Sequence, residues 1–137
     1  MRTITYFSEK PKEREVIALG KKVNVYIRTD IEEVKGEERL EWKAVEYWAQ
    51  FPNTKSFALT DELVEKIIAK EVEKESERVR QIRNELLAAS DCEVLPDRLT
   101  KSSSAFKAWS EYRQALRDIT KQEGFPFEVV FPNKPSV

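Results

Sequence analysis

The sequence contains no histidine, one cysteine and only three glycines among its 137 residues. Histidine is the side chain that most often acts as a general acid or base near neutral pH, and it is the commonest metal ligand. Its absence, with Cys92 as the single thiol, argues against zinc, so no metal site and no cofactor are predicted. Gly20, Gly36 and Gly124 lie too far apart to form a phosphate-binding loop. A single cysteine also excludes an intramolecular disulfide. The lack of disulfides is typical of proteins from a reducing cytoplasm.

Long apolar runs and an excess of either charge are also absent. No apolar segment approaches the ~20 residues that span a bilayer, and the first ten residues lack the apolar core of a signal peptide. The 24 basic and 25 acidic residues nearly cancel, whereas nucleic-acid-binding proteins usually carry a basic excess. Arg78, Arg80 and Arg83 lie among acidic neighbours, which indicates a solvated face of mixed charge. We therefore expect neither a membrane nor a nucleic acid as a partner.

The length suits a single domain over residues 1–137, and its first ~50 residues alternate like β-strands. In "KVNVYIRTDI", for example, Val23, Val25 and Ile27 fall on one face. The segment "RLEWKAVEYWAQF" fits either a strand or a helix, and we interpret it as a strand because the preceding strand needs a hairpin partner. Gly36, in the connection, can take a positive φ. These patterns predict a small antiparallel sheet over residues 3–50.

Two helices are predicted after the sheet. A long helix over residues 60–89 begins at the N-cap Thr60 and contains no internal proline or glycine. Its middle is almost wholly charged, so it either projects beyond its own core or pairs with another helix along a narrow seam, and a homo-oligomer through this helix is one hypothesis. A second helix follows a polar linker at 100–104 and ends near Gly124, the expected C′ residue.

The chain reverses at Leu95-Pro96-Asp97, which predicts that the second helix packs antiparallel on the first. "FEVVF" at residues 127–131 is interpreted as a last strand, and residues 132–137 are predicted to be disordered. The fold class is therefore α+β, with residues 90–131 forming a helical motif and a strand.

The second helix carries a periodic stripe of Phe106, Trp109 and Tyr112. Helical spacing of this kind is more typical of core than of a partner surface, although aromatic residues also dominate binding hot spots. Arg113 and Arg117 lie one turn apart and could hold one carboxylate or phosphate. Alternatively, they form a solvated face with ion pairs to Glu111 or Asp118.

No catalytic residue is predicted. A carboxylate hydrolase needs only two well-placed acids, and Glu41 and Glu46, which lie between aromatic residues, are the candidates for such a pair. Most other acids occur in solvated charged runs, where abundant surface carboxylates are the ordinary interpretation.

The C-terminal third carries short motifs in a defined order. They are Arg83, Leu86-Leu87, Ser90-Asp91, Leu95-Pro96-Asp97, Trp109, Tyr112-Arg113-Gln114, Leu116-Arg117-Asp118-Ile119, Gly124-Phe125-Pro126 and Phe131-Pro132. The last ~50 residues thereby resemble the C-terminal half of phage tail-fibre assembly proteins, often called tail assembly chaperones. The sequence departs from that pattern at Cys92, where an aromatic residue is common, and at residues 98–100.

The resemblance implies a non-enzymatic helper from a phage or prophage, acting in the cytoplasm of the bacterial host. It would bind a tail fibre or another tail protein and assist its folding or assembly. Partner-binding residues are expected on the face of the second helix and in the loop before it, namely Trp109, Tyr112, Arg113, Arg117, Pro96 and Asp97. The alternatives are a structural tail component retained in the virion, and a hydrolase that uses Glu41 and Glu46.

Overall fold

The structure is a computed structural model that describes residues 1–98 and 103–136. The predicted linker at 100–104 lies partly outside the described residues, as does the last residue of the predicted disordered tail. The α+β class is confirmed, because a four-stranded antiparallel sheet precedes a long helix and a second helix. Within the described ranges, no helix is both long and apolar enough to cross a membrane.

The four strands are antiparallel and lie in the order β1-β4-β3-β2. They are β1 (Arg2–Phe7), β2 (Arg14–Leu19), β3 (Lys22–Lys35) and β4 (Leu40–Pro52). The segment that fitted both a strand and a helix is therefore a strand, as predicted. Gly20 has a φ of 61° in the tight turn between β2 and β3, a backbone conformation that two-residue hairpin loops require and that glycine adopts readily.

The β3–β4 hairpin is confirmed, but the expected role of Gly36 is wrong. Among the described residues, the only glycine with a positive φ is Gly20. The Gly36 N–H donates a hydrogen bond of 2.9 Å to the carbonyl oxygen of Arg39. A Cβ atom on Gly36 would lie 2.6 Å from that same oxygen. Glycine is needed here because two backbone segments approach closely.

One face of the sheet carries the first hydrophobic core. Its buried members are Val25, Ile27, Tyr47, Val64 and Ile67. The predicted apolar face of β3 is thus confirmed, and the first turns of the long helix α1 (Asp61–Ala89) cover it. Thr60 is the N-cap predicted from the sequence, since its hydroxyl accepts a 3.2 Å hydrogen bond from the Leu63 N–H.

The chain divides into two compact units, Met1–Glu71 and Val72–Val137, and the boundary lies inside α1. The N-terminal unit contains the sheet and the first part of α1. The C-terminal unit contains the rest of α1 and everything after it. The prediction of one domain over residues 1–137 stays a prediction.

In the C-terminal unit, a 3₁₀ turn (Asp91–Val94) follows α1, and the second helix α2 (Ser104–Arg117) leads into another 3₁₀ turn (Asp118–Lys121). The Ser103 hydroxyl caps α2 by accepting a 3.0 Å hydrogen bond from the Phe106 N–H. After the reversal the chain returns along α1. Arg113 contacts Leu87, and the guanidinium of Arg80, earlier on α1, lies 5.6 Å from the Phe125 ring.

The predicted last strand at residues 127–131 is wrong. Residue 127 lies in a turn and residues 129–131 have no regular structure. The Gln122 side chain donates to the carbonyl oxygen of Val130 and accepts from its N–H, both at 2.8 Å. Because a side chain bonds both polar backbone groups of Val130, that residue does not pair with a neighbouring strand.

Gly124 is also not the C′ residue of α2, which ends seven positions earlier. It lies in a turn that is closed by a 2.7 Å hydrogen bond from the Glu128 N–H to the Gly124 carbonyl oxygen. A Cβ atom on Gly124 would collide with the backbone of Glu128. The motif glycine therefore permits a close approach of two chain segments.

Candidate partner-binding surface in the C-terminal unit

The aromatic stripe of α2 forms the core of the C-terminal unit. Trp109 is 3% exposed and Tyr112 is 7% exposed, and their rings meet edge to face with centroids 5.8 Å apart. They cluster with Leu116 and contact Leu86 and Leu87 of α1. The core interpretation is thus confirmed for both rings. Because both rings are buried, a partner cannot contact them in this conformation. They pack beneath the exposed face of α2.

Arg113 fastens α2 to the C-terminal end of α1. Its Nη1 atom donates to the carbonyl oxygen of Leu87 at 2.8 Å and to the Ser90 hydroxyl at 2.6 Å. Its Nη2 atom lies 2.7 Å from a carboxylate oxygen of Asp91. Cations at this end of a helix bond the last carbonyl groups and complement the helix dipole. The ion pairs expected with Glu111 or Asp118 are therefore wrong for Arg113.

Arg113 and Arg117 do line one surface depression, of about 310 Å³, together with Val94, Phe106 and Ser110. The Arg113 side chain is only 14% exposed, because its guanidinium contacts the end of α1. Arg117 is exposed, and its Nη1 atom makes a long 3.4 Å hydrogen bond to Gln114. Arg117 is consequently the cation that this depression presents to solvent.

The predicted binding loop lies beside Val94 in the sequence and is exposed. Pro96 and Asp97 form a turn closed by a 3.0 Å hydrogen bond from the Arg98 N–H to the Leu95 carbonyl oxygen. Leu95 itself is 51% exposed. The turn therefore presents an apolar side chain, a proline ring and a carboxylate to solvent.

Asp118 forms a local ion pair at the end of α2. Its carboxylate accepts a 2.8 Å hydrogen bond from Lys121 and a 3.1 Å bond from Gln114. The hydrogen bond from Lys121 is the main reason that the pKa of Asp118 is lowered, and the same bond raises the pKa of Lys121. Asp118 therefore forms its ion pair with Lys121, while the charge of Arg117 makes a smaller contribution to lowering the pKa of Asp118.

Glu41 and Glu46 are not brought together as a catalytic pair. They lie five positions apart on β4, so their side chains leave opposite faces of the sheet. Glu46 is 9% exposed and accepts a 2.7 Å hydrogen bond from Arg28. Across residues 1–98 and 103–136, no cluster of three or more His, Cys, Asp or Glu side chains is placed to hold a metal ion.

Ser90 and Asp91 directly follow the helix predicted over residues 60–89, but their contact with Arg113 was not predicted from the sequence. Ser90 is 3% exposed, and its hydroxyl also donates to Leu87 O at 2.9 Å. The contact could have been predicted from two features of the sequence, the Ser-Asp pair at the end of one helix and the arginine in the next helix. Opposite charge and hydrogen-bonding capacity at those places could have suggested the contact.

Comparison with known proteins adds one finding. Residues 76–136 match the family model described as phage tail assembly chaperone protein, which is less than half of the 137-residue chain. The match confirms the resemblance of the C-terminal region and falls within the C-terminal unit. The sheet of the N-terminal unit lies outside it. Neither the curated proteins nor the solved structures contain a match.

Proposed function

We propose that this protein is a non-enzymatic assembly chaperone of a phage or prophage tail, acting in the cytoplasm of the bacterial host. It binds a tail fibre or another tail protein and assists its folding or assembly. The observation that carries the proposal is the match of residues 76–136 to the tail assembly chaperone family. The matched residues coincide with most of one compact unit, so the similarity covers a packed structure.

The contact with the client is proposed to involve the exposed parts of this unit. Val94 and Phe106 provide apolar walls to the depression, and Arg117 provides a cation. The adjoining turn adds exposed Leu95 and Pro96. Such a surface suits an apolar client segment that carries a carboxylate, which Arg117 would pair.

The physical need for such a helper follows from how tail proteins assemble. A subunit that awaits its partners exposes apolar surface and unpaired strand edges, both of which promote aggregation. A chaperone that covers such a segment until assembly buries it raises the yield of soluble subunit. Trp109 and Tyr112 contribute indirectly, because their buried rings position α2.

The test is to co-express the chain with a tail-fibre gene of the same phage or prophage and to measure soluble fibre with and without the chain. We expect soluble fibre to depend on the chain and mature particles to lack it. Unchanged fibre solubility would contradict the chaperone function. Detection of the chain in purified particles by mass spectrometry would favour the structural alternative.

A pair of variants tests the surface separately from the function. Arg117→Ala should reduce the yield of soluble fibre while leaving the thermal unfolding midpoint unchanged, because Arg117 is exposed. Lys107→Ala is the matched control, since Lys107 is an exposed cation on α2 with a long 3.8 Å ion pair to Glu111 and does not line the depression. Equal yields from the two variants would show that the client binds elsewhere.

A further inference from the structure

The strand β2 is an unusually open edge of the sheet. The strand order places it at one edge, and its side chains Val16, Ile17 and Leu19 are 44%, 40% and 55% exposed. Edge strands are normally protected by lysine, proline, a bulge or a covering element, because their unpaired backbone groups attract other strands. The six residues of β2, "REVIAL", include neither lysine nor proline, and the two charged side chains form ion pairs within the chain, Arg14 with Asp61 and Glu15 with Arg28.

The pairing with β3 shows which backbone groups of β2 face outward. The Arg28 N–H donates to the Glu13 carbonyl oxygen at 2.7 Å, and the register places Glu15 opposite Tyr26. Hydrogen-bonded and non-hydrogen-bonded pairs alternate along an antiparallel ladder. The N–H and C=O groups of Arg14, Val16 and Ala18 therefore point away from β3, toward the open edge.

We propose that β2 pairs antiparallel with β2 of a second copy of this chain, about a twofold axis at Ile17. The inference goes beyond the proposed function and does not depend on it. Outward groups must face outward groups, so the axis passes through a residue and not between two. Val16 and Ile17 are the two central residues of β2, and an axis at either one pairs the longest part of the strand. An axis at Ile17 places Val16 opposite Ala18 of the second copy, and all their backbone groups pair. The result is one continuous sheet of eight strands, in which residues 15–19 of each β2 edge are paired.

Charge complementarity selects the axis at Ile17. Continued beyond the strand, this register brings Glu13, the residue before β2 in each copy, toward Lys21, the second residue of the turn after β2 in the other copy. Both residues are exposed, and the lysine side chain is long enough to reach across the end of the turn. An axis at Val16 would instead place Glu13 opposite Leu19. Each dimer thus gains two ion pairs from a sequence with almost no net charge.

The same register buries the exposed apolar side chains of the edge. Ile17 faces its symmetry mate in a non-hydrogen-bonded pair, where Cα atoms lie about 4.5 Å apart and side chains contact closely. On the other face of the sheet, Val16 contacts Ala18 of the second copy. The pairing is isologous, so it closes at two copies and does not continue into a fibre.

A cysteine cross-link tests the register. In a Cys92→Ser background, which removes the only native and exposed thiol, Ile17→Cys should form a disulfide-linked dimer under mild oxidation. The separation of about 4.5 Å is within the range that a disulfide spans. The matched control is Ile4→Cys in the same background, because Ile4 is 50% exposed on the other edge strand, β1. Equal cross-linking of the two variants, or none at position 17, would overturn the proposal.

Charge reversal provides a second test that needs no oxidation. Glu13→Lys or Lys21→Glu alone should weaken dimerisation about tenfold, since each replaces two attractive pairs with like charges. The double variant Glu13→Lys with Lys21→Glu should restore it. Sedimentation equilibrium gives the dissociation constants, and circular dichroism confirms that each variant is folded. A monomeric native protein would refute the pairing. A dimer whose dissociation constant is unchanged by either charge reversal would also refute it, because the interface would then lie on another surface, such as α1.

Discussion

Each unit contains an arginine whose side chain is largely shielded from solvent, Arg28 and Arg113, and the two stabilise different kinds of structure. In the N-terminal unit, Arg28 is 8% exposed and its Nε atom lies 2.7 Å from Glu46. Its Nη1 atom contacts Glu15 at 2.9 Å and the carbonyl oxygen of Lys12 at 3.1 Å. These partners come from two strands and a loop, so Arg28 joins segments that are distant in the sequence. Its guanidinium also lies 5.0 Å from the Phe7 ring.

Arg113 of the C-terminal unit has partners within only five consecutive residues, from Leu87 to Asp91. Its one carboxylate partner, Asp91, has a side chain 66% exposed, whereas the carboxylate of Glu46 is largely buried. Removal of Arg28 therefore leaves an uncompensated buried charge, while removal of Arg113 leaves a helix end with unsatisfied polar groups. The difference indicates that loss of Arg28 should destabilise its unit more than loss of Arg113 destabilises the other.

The largest effect is expected from Trp109→Ala, which removes the central ring of the C-terminal core. Loss of a buried tryptophan costs about 3–5 kcal/mol of unfolding free energy. Urea unfolding measures the change. Trp42→Ala is the control, because Trp42 is only partly buried and should cost less. If Trp109→Ala left stability unchanged, Trp109 would not be core and the interface alternative would return.

A somewhat smaller loss is expected from Arg28→Ala. Breaking a buried ion pair by removing one partner costs about 3 kcal/mol, because Glu46 is left without its counter-charge. Arg14→Ala is matched to it, since the Arg14–Asp61 pair has side chains 44% and 85% exposed and should contribute less than about 1 kcal/mol. If the two variants lost equal unfolding free energy in urea, burial would not make the Arg28–Glu46 pair more important than the exposed Arg14–Asp61 pair.

Two glycine substitutions compare a position where glycine is needed for lack of space, Gly124, with one where it is needed for its positive φ, Gly20. Gly124→Ala introduces a Cβ that collides with the backbone of Glu128 and should cost about 2 kcal/mol, typical of overpacking. Gly20→Ala meets no atom within 4 Å and should cost about 1 kcal/mol, because its φ is positive. Thermal unfolding ranks the two. A larger loss at Gly20 would show that the turn at Gly124 adjusts easily.

The smallest effect concerns pH and the Asp118–Lys121 pair. Because folding lowers the pKa of Asp118, the pair stabilises the folded state above the unfolded pKa of the aspartate. That contribution is lost as pH falls through the lowered folded pKa. Since folding raises the pKa of Lys121, the contribution is also lost at alkaline pH, as pH rises through the folded pKa of the lysine.

Lys121→Ala checks this pair. NMR titration should show the pKa of the Asp118 carboxyl moving up toward its ordinary range in the variant. The stability difference from the native protein should vanish in acid, where Asp118 is protonated in both. An Asp118 pKa that is unchanged by Lys121→Ala would contradict the assignment of Lys121 as the main cause.

Secondary structure in this protein was largely predictable, because its determinants are local. Thr60 predicted the start of α1 within one residue, since a hydroxyl at that position bonds the free N–H groups of the first turn. Alternation predicted β3, because Val25 and Ile27 must share one face. The last strand was wrong for a non-local reason, as the Gln122 side chain bonds the backbone of Val130 eight residues away.

The candidate site was only partly predictable. Spacing indicated that Trp109 and Tyr112 share a face, and burial shows that this face is core. Spacing also indicated that Arg113 and Arg117 are neighbours, which the shared depression confirms. Their different roles depend on where α1 ends, because only Arg113 reaches Leu87 and Ser90. No pattern within α2 carries that information.

The sequence by itself determined the order and type of most elements, the exclusion of an intramolecular disulfide, and a C-terminal motif series that the family match supports. These properties depend on residues within a few positions of one another, or on composition. Only the tertiary structure decided that Arg28 and Arg113 are structural, that β2 is an open edge, and that Arg117 is the exposed cation beside the turn. Such roles arise when strand register and helix packing bring distant residues together, and no local pattern encodes those distances.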